Sequence, residues 1–271
     1  WGVVEEFENR FSRFDANSET SKFNQRAGSY VSVSREFREL LEACARLYME
    51  TDGLFNPFIL PNLQRQGYLG SWPTPANYQD SVDYRDRQAL PDISKLKING
   101  NQARIPINSA IDFGGIGKGY LLDQLSDYLE RHKFGRYWLS LGGDIICNGL
   151  DIDDQPWLIK IQHATQPDEL VGNISNEGKK LAIATSGVTK RKGKNWHHII
   201  DPRTGESADT DFLNVTVVYQ NACTADVLAK CLVIIGSKSA NRFVQEHSIK
   251  SAYAQTTAGK VLRLGGRIRA L

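Results

Sequence analysis

The chain has 271 residues, enough for one large domain or two small ones around a proper hydrophobic core. Hydrophobic residues make up 41% and charged residues 24%, a balance that excludes a mainly disordered chain. Lys plus Arg total 33 and Asp plus Glu total 31, so the net charge of +2 gives no broad attraction to nucleic acid or to a membrane surface.

In chain order, residues 34–50 give the first clear helix. Ser34 is placed to cap it, and Phe37, Leu40, Leu41, Cys44, Leu47 and Tyr48 recur at spacings of three and four. Asp52-Gly53 stops it. The stretch from Leu54 to Pro91, rich in Pro, Asn, Tyr and Gly, reads as long irregular structure with short helical pieces. Asn99-Gly100 signals a hairpin between 96–98 and 103–107. A Gly-rich turn at 114–119 then leads into a helix over 120–132. Strands follow at 137–141, 157–161, 181–184 and 214–219. A further helix runs from Thr224 to Ile235, before Gly236. A short helix at 239–247 and a hairpin (251–254 with 261–264) close the chain. Strands and helices alternate without a regular βαβ repeat or an internal repeat. The fold class predicted is therefore α+β: one compact domain over 1–271, with mixed or antiparallel sheets and flanking helices.

No apolar run approaches the ~18 residues of a membrane span. Cys44, Cys147, Cys223 and Cys231 contain no CxxC pair, which argues against a disulfide framework or a four-cysteine zinc site. The only methionine is Met49, so a natural start before Trp1 is expected. No signal or anchor is visible, and localisation stays open.

Five segments carry groups suited to chemistry. Asp112-Phe-Gly-Gly-Ile-Gly-Lys-Gly119 opens a helix, where backbone N–H groups can face an anion; a tight turn explains it equally well. It is neither a Walker A loop nor a GxGxxG fingerprint. The run from Trp196 to Gly205 gathers two histidines, an arginine and a threonine around an Asp-Pro-Arg-Thr-Gly turn. A histidine there can act as a base near neutral pH and the arginine can clamp phosphate. Thr224-Ala-Asp226 reads first as a helix cap with an acid in the first turn, and that carboxylate also suits a hard cation. Ser140-Leu-Gly-Gly-Asp144 and Ala184-Thr-Ser-Gly187 read first as turns, with backbone close enough to hold a ligand.

In this order the segments resemble the ApbE-type FAD:protein FMN transferases. The matching pieces are Phe11-Ser-Arg-Phe-Asp-Ala-Asn-Ser-Glu19, Thr51-Asp-Gly-Leu-Phe-Asn-Pro57, Asp112 to Gly119, Leu141-Gly-Gly-Asp-Ile145, Ala184-Thr-Ser-Gly187, His198-Ile-Ile-Asp-Pro-Arg-Thr-Gly205 and Ala225-Asp226. The resemblance implies FAD as substrate with Mg²⁺ at its pyrophosphate. FMN is esterified to a threonine hydroxyl of an acceptor protein and AMP leaves. It implies that His198 is the base, that Asp226 and the Gly115 carbonyl reach the metal, and that Phe14 stacks on a FAD ring. It further implies flavin-nucleotide contacts from Leu54, Phe55, Asn56, Asp112, Lys118 and Ile200, with Arg203 and Thr204 at the phosphate end. No nucleic-acid partner is implied, and members of the family often work outside the cytoplasm.

The sequence departs from that pattern at four places. Lys230 stands where the resemblance puts a threonine ligand to the metal, and an ammonium has no lone pair. At helical spacing it can pair with Asp226. It then either takes the metal's place, disables the site or faces outward. Asn56 replaces an aspartate, and Val188 follows Thr-Ser-Gly where an acid or amide is usual. The family's N-terminal strand has no counterpart before Trp1. The expected activity is therefore FMN transfer. The alternatives are an FAD-binding protein with impaired catalysis and an FAD pyrophosphatase that yields FMN and AMP.

Overall fold

The computed structural model describes residues 1–70 and 90–265. They form two compact units: residues 1–117 with 191–208, and residues 118–190 with the chain from Asp209 onward. The part of the irregular 54–91 stretch that falls at 71–89 lies outside the described residues.

In the first unit, the helix Arg35–Glu50 matches its expected span. The Ser34 hydroxyl accepts from Phe37 N at 3.2 Å. Phe37, Leu40, Leu41, Cys44 and Leu47 are buried, as the period of the stripe requires. Two helices not foreseen, Gly2–Phe11 and Glu19–Gln25, precede it. Phe11 stacks on Phe37, and Phe113 meets both rings edge-on. The Asn99-Gly100 hairpin forms as Lys97–Asn99 with Gln102–Arg104, and Val31–Ser32 adds a third strand. Its second strand is shorter than predicted and stops before Pro106, whose missing N–H cannot extend a ladder. After the helix come a short 3₁₀ turn, Pro57–Ile59, and the helix Leu60–Arg65.

The second unit holds a six-stranded sheet in the order Val261–Leu264, Ser251–Thr256, Phe212–Tyr219, Leu181–Gly187, Asp144–Asn148, Tyr137–Leu141. Every strand pair among the described residues is antiparallel, which resolves the choice between mixed and antiparallel sheets. Alternate side chains serve opposite faces. Ile146 and Ala182 pack with Leu122 and Ala222 of two helices, Gly117–Arg131 and Ala222–Glu246. Their neighbours Cys147 and Ile183 pack with Ile159, Ile161 and Ile174 of a separate ribbon, Leu158–Gln162 with Leu170–Ser175. With both faces covered, these strands read as continuous apolar runs. All four cysteines are buried, and none is in a disulfide.

Two boundaries need correction. The helix expected from Thr224 starts at Ala222, and its cap is Asn221, whose side-chain oxygen accepts from Thr224 N at 2.8 Å. The short helix expected at 239–247 is the continuation of the same element beyond a break at Gly236, where Asp211 accepts from Ser237 N at 2.8 Å. Two contacts lock the helix Ala222–Glu246 to Gly117–Arg131. The Asp123 carboxylate accepts from Ala222 N and Cys223 N at 2.8 and 2.9 Å, serving the positive end of the helix. A Cβ on Gly119 would lie 2.3 Å from the Ala222 carbonyl oxygen, so only glycine allows this approach.

Candidate active site

That approach brings Lys118 to Asp226. The Lys118 ammonium lies 3.1 Å from Asp226 Oδ2 and also bonds Asp144 Oδ2. Asp226 Oδ1 accepts from Lys230 Nζ at 3.1 Å, one helical turn on. Asp144 is delivered by the tight turn at Gly142-Gly143, where φ is +60° and +97°, and its Oδ1 accepts from Thr185 N at 3.0 Å. The Ser140–Asp144 and Ala184–Gly187 segments thus converge on one ionic cluster. Both carboxylates are buried, with side chains 1% and 2% exposed, whereas Lys118 keeps 34%.

The charges in the cluster set its protonation. Burial alone would raise the Asp226 carboxyl, but the Lys118 and Lys230 ammoniums override it and hold it below the usual range. Burial raises Asp144, and its neighbour Asp226 adds to that against the pull of Lys118. Burial would depress Lys118, yet the two carboxylates raise it, so it stays cationic.

These donors do not fit a divalent metal. Each Asp226 oxygen already accepts from an ammonium, and Lys230 offers no lone pair. Two carboxylates and two ammoniums leave the cluster formally neutral, so Mg²⁺ would have to displace a cation of the protein itself. Among the described residues, no group of three or more His, Cys, Asp or Glu side chains is placed to hold a metal.

The first unit carries a second set. Arg13 Nε pairs with Asp112 Oδ2 at 2.7 Å, both side chains being under 10% exposed. Its guanidinium lies over the rings of Phe14 and Tyr68 at 4.2 and 4.7 Å. Tyr68 meets Phe14 edge-on at 6.3 Å and the His198 ring at 6.2 Å. Phe14 and His198 therefore share one aromatic cluster, with Phe14 44% exposed.

The two adjacent histidines differ. His198 Nδ1 lies 3.2 Å from the Arg191 carbonyl, an acceptor, so Nδ1 is the donor there, and the neutral form of the ring has its lone pair on Nε2. His197 is held neutral instead. Its Nε2 lies 3.1 Å from the Ala208 carbonyl, Nδ1 accepts from Ile199 N at 3.3 Å, and burial depresses its pKa.

The other candidates are held by local contacts. Asp112 is buried, with Oδ1 accepting from Gly114 N at 2.7 Å, so its carboxylate braces the Gly-rich turn that contains Gly115. Asn56 donates to Pro91 O at 3.1 Å and accepts from Phe58 N at 2.9 Å. An aspartate could not make the first bond, which explains the amide here. Phe55 is a core residue, beside the half-buried Leu54. Ile200 is buried with Leu63, Tyr68 and Trp196. Arg203 grips Asp201 through Nε at 2.9 Å and Nη2 at 2.7 Å, and that bonding raises its pKa. Thr204 Oγ1 accepts from Glu206 N at 3.2 Å inside the turn.

The sequence reading did not single out Tyr68 or Arg13, and it named Asp144 only within the Ser140–Asp144 turn. Asp144 carried a signal, an acid directly after paired glycines at a strand end. Tyr68 had only its place between Gly67 and Gly70, and nothing local marks its partners.

The architecture recurs in solved structures. The ApbE protein of Thermotoga maritima has a TM-score of 0.84 over 97% of this chain and 87% of its own, at 22% identity, so the fold is shared. The flavin transferase ApbE from Vibrio cholerae is 28% identical, with a TM-score of 0.81 over 97% of this chain and 86% of its own. A profile of the ApbE family matches residues 2–253, and the chain belongs to that family. A Vibrio cholerae relative named FAD:protein FMN transferase is 31% identical over 242 residues, 87% of this chain and 72% of its own length. A Haemophilus influenzae relative of the same name is 25% identical, over 91% of this chain and 74% of its own length.

Proposed function

We propose that this chain is an FAD:protein FMN transferase whose acceptor is a threonine hydroxyl of another protein, with residues 1–271 acting as one functional domain. Family membership and the shared name of the relatives support the reaction. The observation that carries the chemistry is the His198 tautomer, with its lone pair on Nε2 and its ring in the cluster of Phe14 and Tyr68. As the acceptor oxygen bonds to the phosphorus on the FMN side, its proton passes to His198 Nε2. The bond from that phosphorus to the bridging oxygen breaks, and AMP leaves with the electron pair. In the second unit Lys118 is the cation for a pyrophosphate, and in the first unit Phe14 offers an exposed ring to a FAD ring system. Asp112 holds the Gly-rich turn that contains Gly115, Asn56 holds the turn at Phe58, and Arg203 and Thr204 hold the turn after Asp201. Mg²⁺, implied by the resemblance, has no role in this scheme, because the donors around Asp226 do not suit it.

The pairing of Lys230 with Asp226 also favours a second reading, FAD binding without turnover. The deciding experiment mixes the protein with FAD and a flavin-acceptor domain. AMP is read by chromatography and covalent flavin by in-gel fluorescence. Labelled acceptor with stoichiometric AMP supports transfer. Bound FAD with neither product supports the second reading, and free FMN without an acceptor marks a pyrophosphatase.

A further inference from the structure

Lys230 is the one charged residue that changes the character of the Asp226 site, and the structure turns its side chain inward. It is 14% exposed, and its ammonium sits on a carboxylate that is 2% exposed. A lysine that merely tolerated its position would extend its head to water. Desolvating an ammonium is costly unless it is paired, and Asp226 provides the pairing at 3.1 Å. The same carboxylate holds Lys118 through its other oxygen, and Asp144 takes the far side of Lys118. Two ammoniums are thereby fixed around one carboxylate.

We propose that Lys230 is a built-in cation for the pyrophosphate of FAD, so that this chain binds FAD and transfers FMN without a divalent metal. The proposal rests on the transferase reading for its substrate. The chemistry is balanced without a metal. Negative charge gathers on the bridging oxygen as its bond to the FMN phosphorus breaks, and hydrogen bonds from the Lys118 and Lys230 ammoniums stabilise it. The proton from the acceptor hydroxyl goes to His198. Asp226 is then a positioning residue that holds both ammoniums in place.

The test uses two readouts, so that failure of the proposal and failure of the transferase reading are distinguishable. FAD affinity is measured by flavin fluorescence in Mg²⁺ and in EDTA, and acceptor labelling is followed in the same two buffers. In the wild type, affinity and labelling are expected to agree within about twofold between buffers. Lys230→Met keeps the apolar stem and loses the charge; FAD affinity is expected to fall about tenfold to a hundredfold, the range of a charge-assisted hydrogen bond. Lys230→Arg is expected to retain FAD affinity in EDTA. Lys230→Thr is expected to make FAD binding respond to Mg²⁺. A wild type whose FAD affinity collapses in EDTA and returns with Mg²⁺ overturns the proposal and leaves the transferase reading standing. Unchanged affinity in Lys230→Met also overturns it. Metal-independent FAD binding without labelled acceptor keeps Lys230 as the cation and overturns the transfer step.

Discussion

At the scale of single residues, two adjacent histidines with opposite roles make the sharpest comparison. His198 donates through Nδ1 to the Arg191 carbonyl, whereas His197 meets the Ala208 carbonyl through Nε2 and accepts from Ile199 N at Nδ1. His198→Gln is expected to slow FMN transfer by about 10²- to 10⁴-fold, the usual worth of a general base, with an unchanged melting temperature. His197→Gln is expected to do the reverse, losing stability while the folded fraction keeps its activity. AMP release and thermal melts on both variants check the assignment, and a slow His197→Gln beside a fast His198→Gln would exchange the roles. Arg13 is held in place by burial. Its partner Asp112 is 5% exposed, so Arg13→Ala strands a buried carboxylate, and the expected cost is about 3–5 kcal/mol in urea unfolding. A cost below about 1 kcal/mol would mean that Asp112 finds water instead.

At the scale of elements, the contact between the helices Gly117–Arg131 and Ala222–Glu246 decides the geometry of the ionic cluster. Gly119→Ala puts a methyl group against the Ala222 carbonyl, and backbone there cannot step aside. Overpacking of this kind costs about 1–3 kcal/mol. The helices separate, so Lys118 retreats from Asp226 and FAD affinity falls along with stability. A Gly119→Ala variant with normal FAD affinity would show that the close approach does not govern the site. Asn221→Ala tests the same junction more gently. It removes one cap bond from Thr224 N, for an expected loss of about 1 kcal/mol in the denaturant midpoint.

At the scale of the whole molecule, the half-buried His197 makes stability depend on pH. Burial holds the pKa of His197 below its unfolded value of about 6.5, and protonating Nδ1 would cost the bond from Ile199 N. The unfolded chain therefore takes up the proton first as pH falls. The contribution of His197 is complete above about 6.5 and declines as the pH drops below that value, until the folded imidazole itself protonates. Urea midpoints at pH 7.5 and 5.5 are expected to differ more for the wild type than for His197→Gln. Equal differences would place the acid sensitivity elsewhere.

Local chemistry was legible at several points of the chain, though not in the helices Gly2–Phe11 and Glu19–Gln25. The stripe from Phe37 to Leu47, the Asn99-Gly100 hairpin, the glycine turn before Asp144 and the break at Gly236 depend on neighbours a few residues away, so their periods and turn residues announce them. The order of motifs also carried the family, because each motif is a short run of adjacent residues. The pairing of Asp226 with Lys230 was open to inference for the same reason, being one helical turn. What Lys230 does there was not: turning inward or outward depends on the burial that packing creates. Lys118 stands 108 residues from Asp226 and 26 from Asp144, and no local pattern encodes those contacts. They follow from a glycine that lets two helix backbones touch and from a sheet register that carries Asp144 to the same place. Tyr68, Phe14 and His198 meet for a similar reason, since rings far apart in sequence come together only when a core closes around them. Covalent neighbours determine turns and periods, while long-range packing determines which charges share a site.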